Sequence, residues 1–125
     1  MDLRREEVPG GPVVTGFSGR GFKVGERVYA HGLLIDPEGV AEWDAPSDIA
    51  SLSADMLGGL LDMDPKPEFL LLGTGAQLIR PSPSFVRAIE EQGIGVEAMD
   101  SRAAARAWGV LRLEQRQIVG AFFPL

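Results

Sequence analysis

The sequence predicts an α/β domain with a mixed, partly parallel sheet and helices on at least one face of that sheet. Three observations support this fold class. The first third of the chain alternates short apolar stretches with turn residues, as an antiparallel meander does. After it, strand and helix signals alternate, which favours parallel strands joined by helical crossovers. Finally, Phe69–Leu72 is an apolar run without a polar face, which is typical of a central, buried strand.

Length and composition indicate one globular domain. The chain has 125 residues, of which 45% are hydrophobic and 24% charged, so it is long enough for one core and too short for two. We expect a flexible tail over residues 1–12, which ends in Pro9-Gly10-Gly11-Pro12, and a single α/β domain over residues 13–125.

Charge and residue usage exclude several classes of protein. The net charge is −6 and the arginines form no basic stripe, which argues against binding of nucleic acid. The absence of cysteine excludes a disulfide scaffold and thiol catalysis. No apolar run approaches the ~20 residues that cross a bilayer. The first residues mix charges and show no secretory signal, so we expect a cytoplasmic protein.

The first third is predicted to form short antiparallel strands. Glycines between residues 16 and 25 favour tight turns between strands. Arg27–Ile35 is rich in branched and aromatic residues and predicts one nine-residue strand. Asp36-Pro37-Glu38-Gly39 has the residue order of a type I turn, and Val40–Trp43 then predicts the returning strand of a hairpin.

Helix and strand signals alternate in the rest of the chain. Ser53 is a suitable N-cap for a helix whose apolar stripe is Met56, Leu57, Leu60 and Leu61, and a loop over Asp62–Glu68 leads to the strand Phe69–Leu72. The next element is a helix that begins at Ser82 and Pro83, buries Phe85, Val86 and Ile89, and ends before Gly93. A buried strand over Gly95–Met99 follows it. The last two elements are a helix over Ser101–Trp108, capped by Asp100 and closed by Gly109, and a strand over Gln117–Phe123.

Residues suited to catalysis or to metal binding are scarce. His31 is the one histidine, and no serine near it in sequence lies in a nucleophile elbow, so we interpret it as a surface residue. Asp62, Asp64 and Glu68 lack the spacing of a calcium loop and indicate a solvated connector. We therefore expect no catalytic residue, no metal site and no cofactor.

One loop is a candidate ligand site. Gly73, Thr74 and Gly75 directly follow the buried strand, where small residues let main-chain amides approach an anion. Arg80 could add a charge-assisted contact to a phosphate or carboxylate. Leu78 stands where the third glycine of a dinucleotide fingerprint belongs, so the motif is incomplete. The alternatives are a plain structural turn for the loop and a solvated side chain for Arg80.

Five aromatic residues are candidates for a contact patch or a homodimer interface: Phe17, Trp43, Trp108, Phe122 and Phe123. The alternative is that these aromatic side chains belong to the core.

An ordered set of motifs resembles a known family. The motifs are Gly21-Phe22-Lys23-Val24-Gly25, Asp36-Pro37 with Gly39-Val40 and Trp43, Leu71-Leu72-Gly73-Thr74-Gly75, the run from Gly93 to Ser101, and Val110-Leu111 with Glu114, Arg116 and a closing apolar strand to Pro124. Together they resemble the small family of unassigned biochemical function that includes mitochondrial respiratory complex I assembly factor 3 and the adipogenesis-associated domain protein. The resemblance implies a three-layer α/β domain with a central mixed sheet and an N-terminal antiparallel β-hairpin layer.

The chain departs from this family at two places. Bacterial relatives commonly have Cys-Arg-Thr-Tyr-Asn where this chain has residues 105–109, and a polar residue often stands at the position of Ala76. The scarcity of catalytic residues and the resemblance together predict a non-catalytic interaction or assembly-factor-like protein that binds a protein partner or forms a homo-oligomer, and neither binds nucleic acid nor spans a membrane. The alternative is a small-molecule or anion-binding protein, or an enzyme, that uses the loop Gly73-Thr74-Gly75.

Overall fold

The computed structural model describes residues 4–5 and 11–125. The strands and α-helices of this part, in chain order, are β1 (Arg4–Arg5), β2 (Gly16–Ser18), β3 (Gly21–Val24), β4 (Arg27–Tyr29), β5 (Leu33–Ile35), β6 (Gly39–Glu42), β7 (Phe69–Gly73), α1 (Pro83–Glu90), β8 (Gly95–Met99), α2 (Ser101–Leu113) and β9 (Val119–Phe122). Two short 3-10 helices, Ile49–Ser51 and Ala54–Leu57, lie between β6 and β7.

The strands form two sheets, and the larger sheet is mixed. Its order is β1-β6-β5-β9-β7-β8, in which β7 is parallel to both β8 and β9 and the other pairs are antiparallel. The smaller sheet, β2-β3-β4, is antiparallel. Helical crossovers around β7 produce the parallel pairs, because two parallel strands need a long connection. The predicted α/β class and the mixed sheet are confirmed.

Three layers follow from how side chains alternate along β7. Leu70 and Leu72 belong to a first buried cluster with Phe85 and Ile89 of α1. Leu71 belongs to a second buried cluster on the opposite face, which contains Trp108 of α2 and Phe22 of the small sheet. Neighbouring residues of a strand point to opposite faces, so β7 separates the two clusters. The large sheet therefore lies between α1 on one side and α2 with the small sheet on the other.

The predicted nine-residue strand Arg27–Ile35 is wrong in length, because its two ends belong to different sheets. β4 and β5 are separated by residues 30–32, and Gly32 adopts φ +141°. A Cβ at Gly32 would lie 2.8 Å from the carbonyl oxygen of Trp43, so only glycine allows this close approach. The hairpin β5–β6 is confirmed, and Asp36 Oδ1 closes its turn by accepting from the amides of Glu38 and Gly39 at 2.7 and 2.9 Å.

The α-helix predicted after Ser53 is also wrong: the segment is a single 3-10 turn. Ser53 stands at the N-cap, but its hydroxyl bonds to the carboxylate of Asp55 instead of a main-chain amide. Gly58 ends the turn with φ +59°, a backbone conformation that no right-handed helix can include. The apolar residues still reach the core, since Leu57, Leu60 and Leu61 are buried.

The signals that begin and end α1 predicted it correctly. Ser82 Oγ accepts from the amide of Phe85 at 3.2 Å, and Pro83 occupies the first turn. Phe85 and Ile89 are buried, and the amide of Gly93 closes the end of the helix on the carbonyl of Glu90 at 2.9 Å.

Two expectations in the C-terminal half need correction. β8 is an edge strand and only half-buried, because nothing in the described part of the chain pairs with its outer side. α2 does not stop at Trp108 but continues through Gly109 to Leu113. Its last turn is held by Leu111, which packs against the second cluster. The strand predicted over Gln117–Phe123 exists as β9 and lies in the middle of the large sheet.

Replacing Gly109 with alanine should stabilise the protein. An added Cβ has nothing within 4 Å, and alanine is about 1 kcal/mol better than glycine inside a helix. We expect a higher midpoint of urea denaturation with an unchanged slope. A lower midpoint would show that α2 is broken at Gly109, as the sequence suggests.

The expected flexible tail, residues 1–12, falls largely outside the described residues. Within it, Arg4 and Arg5 pair with Val40 and Gly39 of β6. The carbonyl oxygen of Pro12 accepts a hydrogen bond from Nε1 of Trp108 at 2.9 Å. The domain boundary at residue 13 stays a prediction.

Candidate functional site

The loop that follows β7 is closed by its own hydrogen bonds. Thr74 is buried, and its amide donates to the carbonyl oxygen of Met99 at 2.9 Å. Its hydroxyl Oγ1 donates to the carbonyl oxygen of Gln77 at 2.6 Å and accepts from the amide of Ile79 at 3.1 Å. The hydroxyl group is thus engaged inside the protein, which favours the structural interpretation of Thr74.

Ser101 completes this junction, and sequence reasoning missed it. The side chain is buried at the start of α2, where Oγ accepts from the amide of Gly75 at 2.8 Å and donates to the carbonyl oxygen of Phe123 at 2.7 Å. A Cβ on Gly73 would lie 2.7 Å from this oxygen, so glycine is required there for close packing. The sequence signal was a serine directly after the N-cap Asp100, but its partners are distant in the chain.

A cleft lies beside this junction, at the carboxyl ends of β7 and β9. It has a volume of about 620 Å³, and its lining includes Thr74, Gly75, Arg20, His31 and Asp44. Arg20 is held at the rim, since its Nε donates to the carbonyl oxygen of Leu125 at 2.5 Å. Ligands of open α/β sheets commonly bind at the carboxyl ends of strands, so this cleft is the most suitable place for a small ligand in the described part of the chain.

The residues predicted to bind a ligand are not brought together. Thr74 and Gly75 line the cleft, whereas Arg80 lies in a separate groove. Gly73 contributes no side chain and packs against Ser101. The expected contact of Arg80 to a ligand held by the loop therefore has no support in the geometry.

His31 lies on the surface, as the sequence indicated, in the connection between β4 and β5. Its side chain is exposed, with Nδ1 3.7 Å from Oε1 of Glu42. The same carboxylate accepts from the amides of Ala30 and His31 at 3.3 and 3.4 Å. The carboxylate of Glu42 thus bonds to the main chain of the connection between the two sheets.

Glu68, the last residue of the acidic connector, forms an ion pair with Arg116. Arg116 donates to both oxygens of Glu68, with Nη2–Oε1 and Nε–Oε2 distances of 3.0 Å. This hydrogen bond, followed by the charge of Arg116 and the amide of Gln117, lowers the pKa of Glu68. Both side chains are partly exposed, so the pair orders the start of β7 more than it stabilises the fold.

The ion pair gives a pH prediction. Because the folded pKa of Glu68 is lowered, the stabilisation that it provides is complete above the unfolded pKa and is lost as the pH falls through the folded value. We expect NMR titration to find the pKa of Glu68 below its usual range, and Arg116→Gln to return it there. An unchanged pKa in the variant would show that Arg116 is not its cause.

Most of the aromatic residues proposed as a contact patch belong to the core. Trp43, Trp108, Phe122 and Phe123 are all buried, which favours the alternative that they belong to the core over an exposed contact patch. Phe122 is in the second cluster, and Trp43 packs edge-on against Phe123 in the first, with ring centroids 5.1 Å apart. Phe17 is half-buried beneath the guanidinium of Arg102, 4.8 Å from its ring centroid.

The large apolar side chains that are exposed are not those five aromatic residues but Val28, Met56, Leu78, Ile79, Val110 and Leu113. No signal in the sequence had distinguished these six from core residues. Three of the six lie at two places on the surface. Val110 and Leu113 lie on the outer face of α2, with Leu113 86% exposed. Leu78 is 60% exposed beside the free edge of β8, in a groove of about 320 Å³ that it forms with Arg80, Pro81, Val86, Val96 and Ala98.

In the part of the chain that the structure describes, no three histidine, aspartate or glutamate side chains are grouped so that they could hold a metal ion. Neither α1 nor α2 has the length and hydropathy that a bilayer crossing requires.

The sequence and the fold are similar to known proteins. Residues 14–123 match a family described as "Protein of unknown function (DUF498/DUF598)". NADH dehydrogenase (ubiquinone) 1 alpha subcomplex assembly factor 3 of Bos taurus is 32% identical over 127 residues, which cover 99% of this chain and 67% of that protein. An uncharacterized protein of Rhodobacter capsulatus is 30% identical over 125 residues, which cover 100% of this chain and 94% of that protein. The solution structure of a Bordetella pertussis protein, described as an Mth938-like domain, has a TM-score of 0.79 at 29% identity and covers 99% of this chain and 92% of that one.

Proposed function

We propose that this chain, which belongs to the DUF498/DUF598 family, acts without catalysis as an assembly-factor-like protein that binds other proteins. Membership of this family confirms the resemblance that the sequence motifs indicated. The observation that carries the proposed function is the similarity, over 99% of the chain, to a Bos taurus protein that is named an assembly factor for NADH dehydrogenase. The proposal includes a cytoplasmic location, which stays a prediction.

The outer face of α2 is the surface that we assign to the partner. Arg102, Arg106, Val110 and Leu113 are spaced by three or four residues, so they lie on one side of the helix, and all four are exposed. Two arginines stand at the beginning of this stripe and two apolar residues at its end. The stripe fits a protein surface that has carboxylates next to an apolar patch, and a mixed surface of this kind is typical of transient complexes.

Cross-linked affinity capture from cells that produce the protein tests this assignment. We expect subunits of NADH dehydrogenase to be enriched by the wild-type chain and lost in the variant Val110→Asp/Leu113→Asp. The variant should still fold, because substitutions at exposed positions usually change stability by about 0.5 kcal/mol or less. Met56→Asp, at an exposed residue away from α2, is the matched control and should retain the partner. Equal enrichment by all three chains would contradict the role of α2, and no enrichment by any would overturn the function.

The cleft beside Thr74 favours a second candidate, a binding protein for a small anion. Arg20 supplies a cation at its rim, and Ala76 lines it just beyond the carboxyl end of β7. A panel of phosphates, nucleotides and carboxylates in thermal-shift assays tests this function. Ala76→Asp places a carboxylate in the cleft and should abolish any rise of the melting temperature. Thr74→Val is unsuitable for this purpose, because it breaks the internal bonds of the loop. No shift with any ligand would end this candidate.

A further inference from the structure

We infer that the free edge of β8 binds the β8 of a second copy of this chain, with the strands antiparallel about a two-fold axis, and that Arg80 of each copy meets Glu90 of the other. This dimer does not depend on the proposed function, since its surface is separate from the outer face of α2.

The main-chain groups of β8 show which residues face the free edge. The amide of Gly95 donates to the carbonyl oxygen of Glu68, and the carbonyl oxygen of Met99 accepts from the amide of Thr74. In a parallel pair, alternate residues of a strand bond to the neighbour, so Gly95, Glu97 and Met99 bond towards β7. Val96 and Ala98 therefore direct their amides and carbonyls outward.

This edge has little of the usual protection. Glu97 is the one charged residue of β8, which contains neither proline nor lysine, and no helix or loop of the described chain pairs with the outer main-chain groups of the strand. Unpaired edges of this kind readily accept another strand. Four of the five residues of β8 are already half-buried, so one further strand would complete their burial.

An apolar groove follows the same edge on the α1 side of the sheet. Val96 and Ala98 point to that side, since both pack against the first cluster. Val86 of α1 and the residues Leu78, Arg80 and Pro81 form the rest of the groove. In an antiparallel pair about a two-fold axis perpendicular to the sheet, both copies place α1 on the same face, so the two grooves join into one buried seam.

The charges at the two ends of the groove favour a second copy of this chain as its binding partner. α1 follows β7 and leads back to the start of β8, so Arg80 precedes the helix beside Ala98, whereas Glu90 ends it near Gly95. Antiparallel pairing places the carboxyl end of one β8 beside the amino end of the other. Arg80 of one copy then approaches Glu90 of its partner, on both sides of the axis. Within the described chain neither side chain has an ion pair, so both are available for this contact.

The register follows from Glu97. If Val96 lies opposite Ala98 of the second copy, Glu97 faces another Glu97, and like charges directly opposite are unfavourable. If Val96 instead lies opposite Val96, each Glu97 lies beside Gly95 of the other chain and the repulsion is avoided. Pairing Ala98 with Ala98 would also separate the two Glu97 side chains, but it would place Arg80 of each copy beside Arg80 of the other. We therefore assign the pairing in which the two Val96 residues share the two-fold axis.

Sedimentation equilibrium at 150 mM salt, over about 1 µM to 1 mM protein, tests the dimer. We expect the mass to rise from 13.4 kDa towards twice that value. Ala98→Pro removes an outward amide without affecting the bonds to β7, and should give a monomer at every concentration. A wild-type chain that stays monomeric at the highest concentration, as it would if the edge takes an extended segment of another protein, overturns the inference. So does a dimer that persists in a folded Ala98→Pro variant.

Charge reversal provides a test that does not depend on the proline variant. Arg80→Glu and Glu90→Arg should each raise the dimer Kd about tenfold, because attraction becomes repulsion at two symmetric contacts. The double variant restores opposite charges and should return the Kd to near the wild-type value. Arg87→Glu, an exposed reversal on the same helix, is the matched control and should leave the Kd unchanged. Single variants without effect, or a double variant that is weaker than both, would contradict the proposed contact.

Discussion

Replacing Trp108 with alanine lowers the free energy of unfolding by about 3–5 kcal/mol, the usual cost of removing a large aromatic side chain from a core. Trp108 is fully buried in the second cluster, between α2 and the large sheet. Its Nε1 also donates to the carbonyl oxygen of Pro12, which ties the start of the domain to the core. Replacing Trp108 with alanine therefore leaves a cavity in the core and removes the hydrogen-bond donor of the Pro12 carbonyl group.

Urea denaturation followed by far-ultraviolet circular dichroism measures this loss. Trp108→Phe separates the two contributions, because it keeps an aromatic ring and removes the hydrogen bond to Pro12; it should cost about 1–3 kcal/mol. Leu113→Ala is the matched control, since Leu113 is on the same helix and 86% exposed, and its change should be under about 0.5 kcal/mol. If Trp108→Ala were as mild as Leu113→Ala, Trp108 would be the surface contact that the sequence suggested.

The second large effect is expected at Ser101. Replacing it with alanine should cost about 2–4 kcal/mol, because the buried amide of Gly75 and the buried carbonyl group of Phe123 both lose their partner. The three segments joined there follow β7, β8 and β9. We expect the loop after β7 to open more readily in the variant, so that the amide proton of Gly75 exchanges much faster with solvent.

Hydrogen exchange and urea denaturation of Ser101→Ala test this role together. Ser84→Ala is a suitable control, because Ser84 is exposed on α1 and its Oγ contacts only Oγ of Ser82, at 3.2 Å. We expect that control to retain the stability of the wild type. If Ser101→Ala leaves the free energy of unfolding unchanged and the Gly75 amide protected from exchange, the loop does not depend on Ser101. That result would favour a ligand-binding role for Thr74 and Gly75.

Local signals in the sequence predicted the elements whose stabilising contacts are themselves local. α1 begins directly after its N-cap Ser82 and ends before Gly93, because the partners of both caps lie within four residues. The turn at Asp36 is likewise closed by the carboxylate of its own first residue. The buried strand β7 was predictable because its apolar run has no polar face.

Distant contacts decided the features that the sequence did not predict. Arg27–Ile35 is rich in strand-forming residues, but the contact of Gly32 with the carbonyl group of Trp43 turns the chain from one sheet into the other. The α-helix expected after Ser53 became a 3-10 turn, because burial of its leucines does not need helical geometry beyond Gly58. α2 extends past Gly109 for the same kind of reason, since packing of Leu111 outweighs the propensity of one glycine.

The candidate site shows the same division. A loop of small residues after a buried strand was predictable at Gly73–Gly75, but two of the bonds that close it come from Met99 and Ser101, more than twenty residues later. The aromatic residues had no pattern that separates core from surface, because their burial depends on which layers pack on β9. The sequence did not predict the exposed face of α2, because the predicted helix ended before Val110.

A gene deletion tests the proposed function most directly. The deleted cells receive the wild-type gene, the gene for the variant Val110→Asp/Leu113→Asp, or no gene. Native gel electrophoresis of their membranes then measures the amount of assembled NADH dehydrogenase in each case. We predict that the assembled enzyme falls on deletion, that the wild-type chain restores it and that the variant does not. Undiminished assembly in the deleted cells, or full restoration by the variant, would contradict a protein that acts by binding through α2.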